Sequence, residues 1–362
     1  MQERPEKEMP STLPLRGRGA VSNPQGRFER LTRDPYDDGW WPEEELPPLA
    51  TTVRIEESRS IIARNDSPDI PFSQSINPYR GCEHGCVYCY ARPSHAYVGL
   101  SPGLDFETRL FAKANAAEKL REELARPGYA CQTIALGANT DPYQPIERRY
   151  RLTRQVIEVL AECGHPLSIV TKSSLIERDI DLLAFMAGKH LVHVFVSITT
   201  LNRQLARRLE PRASAPSRRL ETVRRLAAAG IPTGVLVAPV IPALTDNDVE
   251  KVLEAARAAG ARWAGYVLLR LPHELKDLFR QWLATHAPLK AGHVMKLVRE
   301  TRGGRDNDPR FGVRMRGEGR LADLIEDRFA IACRRLGFNR EEGFLDHSRF
   351  RPPIVGPQLP LF

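Results

Sequence analysis

Six short apolar runs alternating with amphipathic ones predict an α/β fold, and a length of 362 residues gives it room for a full core. The form expected is a partial (β/α)6 barrel of the TIM type, with an N-terminal extension and a C-terminal helical segment. Strands that alternate with helices pair in parallel, and six such units fall short of the eight that close a barrel. In parallel βα folds the chemistry sits where the chain leaves each strand, so the residues after each apolar run are the candidates for function.

The strand candidates are Ser75–Tyr79, Gln132–Gly137, Pro166–Val170, Val192–Ile198, Thr233–Pro239 and Trp263–Leu269. Helical periodicity fills the gaps at Phe111–Leu124, Thr153–Cys163, Glu177–Ala187, Ser217–Ala229 and Asp246–Ala259. Gly164, Gly230 and Gly260 follow three of these runs, where glycine supplies a left-handed stop. Thr51–Glu56 and Ser60–Ala63 read as a short hairpin ahead of the barrel. Beyond it, Leu275–Thr285 and Leu321–Leu336 read as helices joined by an Arg/Gly-rich loop. The organisation expected is an irregular or partly disordered extension over 1–60, pinned by Trp40 and Trp41, a core barrel over 61–271, a helical extension over 272–338 and an extended tail over 339–362.

Hydrophobic residues make up 42% and charged residues 27%, an ordinary globular balance. Met1–Arg30 is charged and proline-rich, without the apolar core of a signal peptide. The longest apolar stretch, Gly230–Leu244, is broken by Pro232, Pro239 and Pro242 and is too short to span a bilayer. A cytoplasmic protein without membrane attachment is expected. Six cysteines in a chain this long do not make a disulfide scaffold, and three of them fall within eight residues. In a reducing compartment such clustering points to metal binding or catalysis.

Those three lie in Asn77–Pro78–Tyr79–Arg80–Gly81–Cys82–Glu83–His84–Gly85–Cys86–Val87–Tyr88–Cys89–Tyr90, with spacing C-x3-C-x2-C, just after the first strand. Two glycines let the backbone wrap closely around a guest. Three thiolates can hold three corners of a cubane 4Fe–4S cluster and leave one iron without a protein ligand. A zinc site needs a fourth ligand, which His84 is too near the middle of the loop to supply easily. A redox C-x2-C pair would leave Cys82 unexplained.

A C-x3-C-x-aromatic-C loop at this place, with Tyr88 as the aromatic residue, resembles the radical S-adenosylmethionine (SAM) superfamily, over roughly Ser73 to Leu271. The surrounding segments are similar to the branch that includes spore photoproduct lyase and the proteins called DNA repair photolyases. The resemblance implies a 4Fe–4S cluster on Cys82, Cys86 and Cys89, whose free iron chelates SAM, and a one-electron donor such as flavodoxin or ferredoxin. Reductive cleavage of SAM then gives a 5′-deoxyadenosyl radical that takes a hydrogen atom from the substrate.

It also implies SAM contacts at the strand ends. After the second strand, Gly137–Glu147 is dense in hydrogen-bonding side chains and stiffened by Pro142 and Pro145, and the resemblance assigns SAM contacts to Asn139 and Thr140. The third strand ends at Lys172, whose implied partner is the SAM carboxylate. The fourth ends at Ser197, whose implied partner is the ribose or amino group. Asn, Thr and Asp also favour plain turns, and small hydroxyl residues also pack silently in barrels. Arg270, after the sixth strand, faces either substrate or phosphate, or a structural ion-pair partner. Cys131, Cys163 and Cys333 fall away from the mouth and read as small buried hydrophobes. Spore photoproduct lyases carry a hydrogen-donating cysteine near the end of the second strand. This chain has Ala138 and Asn139 there, so the thymine-dimer reaction itself is not expected.

The net charge is +8, and eight arginines between Arg203 and Arg225 outnumber the acids by six. Between Arg299 and Arg320 seven arginines outnumber the acids by three. Such runs fit either phosphate contacts or a solvated helix face and loop. The final Gln358–Leu359–Pro360–Leu361–Phe362 resembles peptides that bind the bacterial sliding clamp, with Pro360 departing from the pattern. Three functions compete: a radical SAM enzyme acting on nucleic acid in repair or modification of DNA, one acting on protein or a small molecule, and a non-catalytic iron–sulfur module that binds nucleic acid.

Overall fold

The computed structural model describes residues 17–29, 49–341 and 343–354. Trp40, Trp41 and the clamp-like Gln358–Phe362 lie outside the described residues. In chain order the strands are β1 (Thr52–Glu56), β2 (Ile62–Arg64), β3 (Gln74–Ile76), β4 (Tyr79–Arg80), β5 (Arg109–Lys113), β6 (Ile134–Leu136), β7 (Leu167–Thr171), β8 (Val192–Ser197), β9 (Thr233–Val240) and β10 (Trp263–Leu268). Seven of them form one sheet in the order β10-β9-β8-β7-β6-β3-β2. Every neighbour pair is parallel except β2 with β3. The six predicted strands are thus the six parallel strands, in sequence order, and the sheet stays open because β2 and β10 are its two edges.

The parallel strands are buried because helices cover them. The β8 run Val-His-Val-Phe-Val-Ser is rich in β-branched residues, and five of its six residues are buried. The helix Leu152–Glu162 turns Leu152, Val156, Ile157, Val159 and Leu160 inward, and Val249–Ala258 does the same with Val249, Val252, Leu253 and Ala256. All of these but Leu152, which packs with Tyr79, Leu110 and Ile146, join Ile76, Leu136, Ile169, Val194, Val196, Val235 and Val237 in one core. Because all six strands run the same way, their C-terminal ends open onto one mouth.

Three local expectations are corrected. Thr51–Glu56 and Ser60–Ala63 do not form a hairpin: β1 pairs in parallel with β5, and β2 pairs antiparallel with β3. The link between β1 and β2 is held by helix Ala116–Leu124 instead. Asn115 Oδ1 accepts from Ser58 N at 2.9 Å, and the Glu123 carboxylate accepts from Ile61 N at 2.6 Å and Ile62 N at 3.3 Å. The helix expected from Phe111 begins only at Ala116, because Arg109–Lys113 is taken as strand by β1. The stretch after Leu275–His286 holds a further helix, Pro288–Glu300, with proline in its first turn where the missing N–H costs nothing. Among the described residues no helix is long and apolar enough to cross a membrane.

Candidate active site at the strand ends

The cysteine loop leaves β4 and is tied down at nearly every residue. Cys82 N donates to Phe106 O at 2.9 Å, Val87 N to Leu209 O at 3.0 Å, and Cys89 N to Cys86 O at 3.2 Å. From the end of β6, Gln144 reaches across with both ends of its amide: Oε1 accepts from Glu83 N at 2.9 Å, and Nε2 donates to Gly81 O at 3.0 Å. Cys82 and Cys86 are buried and Cys89 is partly so.

Burial pushes all three thiols up, Cys86 to about 12, and the nearby thiols reinforce the effect on Cys82. Soft iron reverses that preference by binding the thiolate. Among the described residues no three His, Cys, Asp or Glu are grouped so as to hold a single metal ion. Three soft donors on one loop, two of them buried, fit a cluster that brings its own bridging sulfides. His84 is not a spare ligand, since its Nδ1 lies 3.3 Å from Asp141 Oδ2 with the ring buried.

The loop's glycines do not face a guest, as expected from sequence; they face protein. At Gly85, with φ +67°, a Cβ would stand 2.7 Å from Glu107 Oε2. The segment 17–22, part of the expected extension, lies across this point: a Cβ on Gly19 would meet Gly85 O at 1.7 Å. The fully buried Glu107 carboxylate accepts from Gly19 N at 3.0 Å and Ala20 N at 2.8 Å, and pairs with Arg92. The equally buried Arg92 spends all five of its N–H donors. They go to Glu107 and to the carbonyls of Cys86 (2.8 Å), Gly85 (3.1 Å), Pro102 (3.1 Å) and Gly103 (2.8 Å). Sequence reasoning passed over Arg92 and Glu107, because no spacing rule marks a residue whose work is to hold backbone carbonyls.

Lys172, at the end of β7, donates from Nζ to Ser197 Oγ at 2.7 Å and to Ala238 O at 3.4 Å, and sits 5.8 Å from the centre of the Tyr88 ring. Ser197 and Thr199 also donate to Ala238 O, at 3.2 and 3.1 Å, and the Tyr88 hydroxyl meets Thr199 Oγ1 at 3.2 Å. Tyr88, Lys172 and Ser197 therefore meet in one cluster. Beneath it lies Glu210, paired with Arg219. Burial alone would raise the Glu210 carboxyl, but the Arg219 guanidinium and the Lys172 ammonium outweigh that and hold it below the usual range.

On the β6 side Asn139 N donates to Asn77 Oδ1 at 3.0 Å, and the Asn139 side-chain amide has no hydrogen-bond partner among the described residues. The buried Thr140 has its hydroxyl donated to Tyr79 O at 2.9 Å, so only its lone pairs remain for a ligand. Its neighbour Asp141 joins the parts: it accepts from Thr171 Oγ1 and Lys172 N, each at 2.7 Å, and faces His84. Burial would raise this carboxyl, but His84 and these donors hold it below the usual range. The Asp in Asn139–Thr140–Asp141 reads as turn-forming; only the fold reveals that it bridges β6, β7 and the cysteine loop. The other cysteines stand apart, with Cys163 and Cys333 in the hydrophobic core.

The arginine runs are largely neutralised within the chain. Arg212 pairs with Glu83, Arg218 and Arg225 with Glu177, Arg219 with Glu210, and Arg224 with Glu221. In the second run Arg299 pairs with Asp306, Arg310 with Asp308, Arg314 with Asp69, and Arg316 with Glu326.

The profile of the radical SAM superfamily matches residues 76–256, half of the chain. An uncharacterized protein of Mycobacterium tuberculosis is 39% identical over 278 residues, covering 73% of this chain and 82% of that protein. A protein of Pseudomonas phage M6 named radical SAM Nalpha-GlyT isomerase is 30% identical over 197 residues, or 52% of this chain and 38% of its own length. Among solved structures, spore photoproduct lyase complexed with dinucleoside spore photoproduct aligns with a TM-score of 0.57 at 16% identity, covering 79% of this chain and 80% of that one. At that identity the likeness is one of fold.

Proposed function

Because the chain belongs to the radical SAM superfamily, we propose that Cys82, Cys86 and Cys89 carry its 4Fe–4S cluster, that Tyr88, Asn139, Thr140, Lys172 and Ser197 hold its SAM, and that its substrate is nucleic acid. Membership makes the chain an enzyme that uses a 4Fe–4S cluster and SAM, not a non-catalytic binding module. When bound, the reduced cluster and SAM supply one-electron cleavage of the sulfonium and hydrogen-atom abstraction from substrate. The protein contributes position and exclusion of water.

The observation that carries the site is the meeting of the cysteine loop with Lys172 at one end of the sheet. The Lys172 ammonium is fixed by two neutral acceptors, Ser197 Oγ and Ala238 O, and has no carboxylate within ion-pair reach among the described residues. It is set to receive the SAM carboxylate without first breaking an ion pair. Ser197 orients that ammonium, and Asn139 offers a side-chain amide that is unpartnered among the described residues. Glu210, matched by Arg219, stays within electrostatic reach of the Lys172 ammonium without forming an ion pair with it. Nucleic acid is favoured as substrate by the net charge of +8. Repair or modification of DNA is the form of that chemistry we assign. The fold neighbour named above was solved with a dinucleoside.

Lys172→Met should raise the SAM dissociation constant about 10- to 100-fold, the value of one charge-assisted hydrogen bond. Equilibrium dialysis on anaerobically reconstituted protein measures it, and an unchanged constant removes Lys172 from the site. The substrate class is tested by DNA binding across a salt series. Phosphate contacts require affinity to fall as salt rises, and salt-independent or absent binding redirects the search to protein or small-molecule substrates.

A further inference from the structure

We propose that Arg270 is an anion-binding residue of the substrate site and that its anion is a phosphate of the nucleic acid, which rests on the substrate reading above. Arg270 lies two residues beyond β10, at the mouth. Its guanidinium carbon stands 5.5 Å from the centre of the Tyr90 ring, and Tyr90 directly follows Cys89. The Tyr90 ring is 47% exposed, while its hydroxyl donates to Ala138 O at the end of β6. Arg270 and Tyr90 thus line an open part of the mouth beside the cysteine loop.

What singles out Arg270 is the absence of a partner. Its Nε is buried with no hydrogen bond, and Nη1 meets only the sulfur of Met315 at 3.5 Å, a weak acceptor. It has no carboxylate in ion-pair reach among the described residues. The buried guanidiniums of Arg92, Arg219 and Arg302 are better matched: Arg92 has Glu107, Arg219 has Glu210, and Arg302, whose Nε is likewise without a hydrogen bond, donates to the carbonyls of Leu268, Leu269, Val313 and Arg314. A half-buried guanidinium with a buried, unpartnered Nε costs free energy that a ligand anion would return. Burial, and then Arg314, lower the pKa of Arg270, with Tyr90 and Asp69 opposing.

The anion is not the SAM carboxylate assigned to Lys172. The strand order places β10 three strands from β7, about 14 Å across the sheet. Lys172 lies over Tyr88 and Arg270 over Tyr90, two different rings of the cysteine loop. Nor does a lone carboxylate suit the surroundings. Arg302 and Arg314 both act on Arg270 electrostatically, Asp69 is bound to Arg314, and Asp308 is bound to Arg310. With both of those carboxylates matched, Arg270 and Arg302 remain without an acidic partner among the described residues, and the Arg270 guanidinium fork matches two phosphate oxygens. The exposed Tyr90 ring offers a surface on which a base can stack.

The test uses the full-length, reconstituted protein and a fluorescent single-stranded DNA oligonucleotide, with affinity measured by anisotropy over a salt series. Arg270→Gln should weaken binding about tenfold and reduce the slope of log affinity against log salt by about one. Arg270→Lys, which keeps the charge and loses the fork, should restore the slope while recovering only part of the affinity. The SAM dissociation constant of Arg270→Gln should change far less than its DNA affinity. If SAM affinity falls as much as DNA affinity, the anion is SAM's own and the proposal is overturned. If Arg270→Gln matches wild type in affinity and slope, the phosphate contact is refuted while the nucleic-acid substrate stands. If wild type binds no oligonucleotide yet cleaves SAM, the substrate reading falls and the phosphate assignment falls with it.

Discussion

Glu107→Ala should destabilise the protein by about 3–5 kcal/mol, the range for removing one partner of a buried ion pair. It should also cost the protein most of its iron. The carboxylate accepts Gly19 N, Ala20 N and Arg92, so its loss leaves a fully buried guanidinium unmatched and frees two amides of the 17–22 segment. That segment can lift away and regain water, which limits its share of the cost; Arg92 cannot, because its other donors hold four carbonyls. Two of those carbonyls belong to Gly85 and Cys86, so the disturbance passes straight into the cysteine loop. In a chain of this size the thermal midpoint should drop by roughly 5 °C. Glu107→Gln, which keeps an acceptor and loses the charge, should fall between. Gly19→Ala approaches the same joint from the other side, since its methyl would lie 1.7 Å from Gly85 O. A Glu107→Ala protein that melts with wild type and retains full iron and sulfide after reconstitution would show that the loop holds its shape without this anchor.

The parts of the fold that were legible were those governed by local periodicity. The β7 run and the β8 run have no competing pattern, and both form where expected. Phe111–Leu124 failed because its first residues satisfy a helix pattern equally well, and the deciding partner, β1, lies more than fifty residues earlier. The hairpin failed for the same reason: adjacency in sequence favoured pairing β1 with β2, and long-range bonds from Asn115 and Glu123 prevented it. In the site, the thiols announce themselves by spacing, and Lys172 by its place after an apolar strand. Arg92, Glu107, Gln144 and Asp141 do not, since each acts on backbone groups brought together only by the fold. The arginine runs show the converse, for charge counted along the chain overstated a surface whose partners, such as Glu177 and Asp69, come from other segments.

Cys86→Ala should abolish both the iron–sulfur absorption of reconstituted protein and its release of 5′-deoxyadenosine from SAM under dithionite, whereas Cys163→Ala should keep both. The two residues share chemistry and burial and differ in surroundings. Cys163 ends a helix within the main core, with a thiol pushed up by burial to about 11, and loses only a little packing on truncation. Cys86 shares one short loop with Cys82 and Cys89, its carbonyl gripped by Arg92 and its thiol close enough to Cys89 for the two to repel as thiolates. Removing it leaves two ligands where a cluster with one open iron needs three. Burial also makes a bare thiolate in this loop costly, so the remaining pair gains little affinity from deprotonation alone. Iron and acid-labile sulfide per chain, measured beside the absorption spectrum, separate loss of the cluster from loss of turnover. Equal iron content and equal SAM cleavage in the two variants would mean that the cluster is held elsewhere.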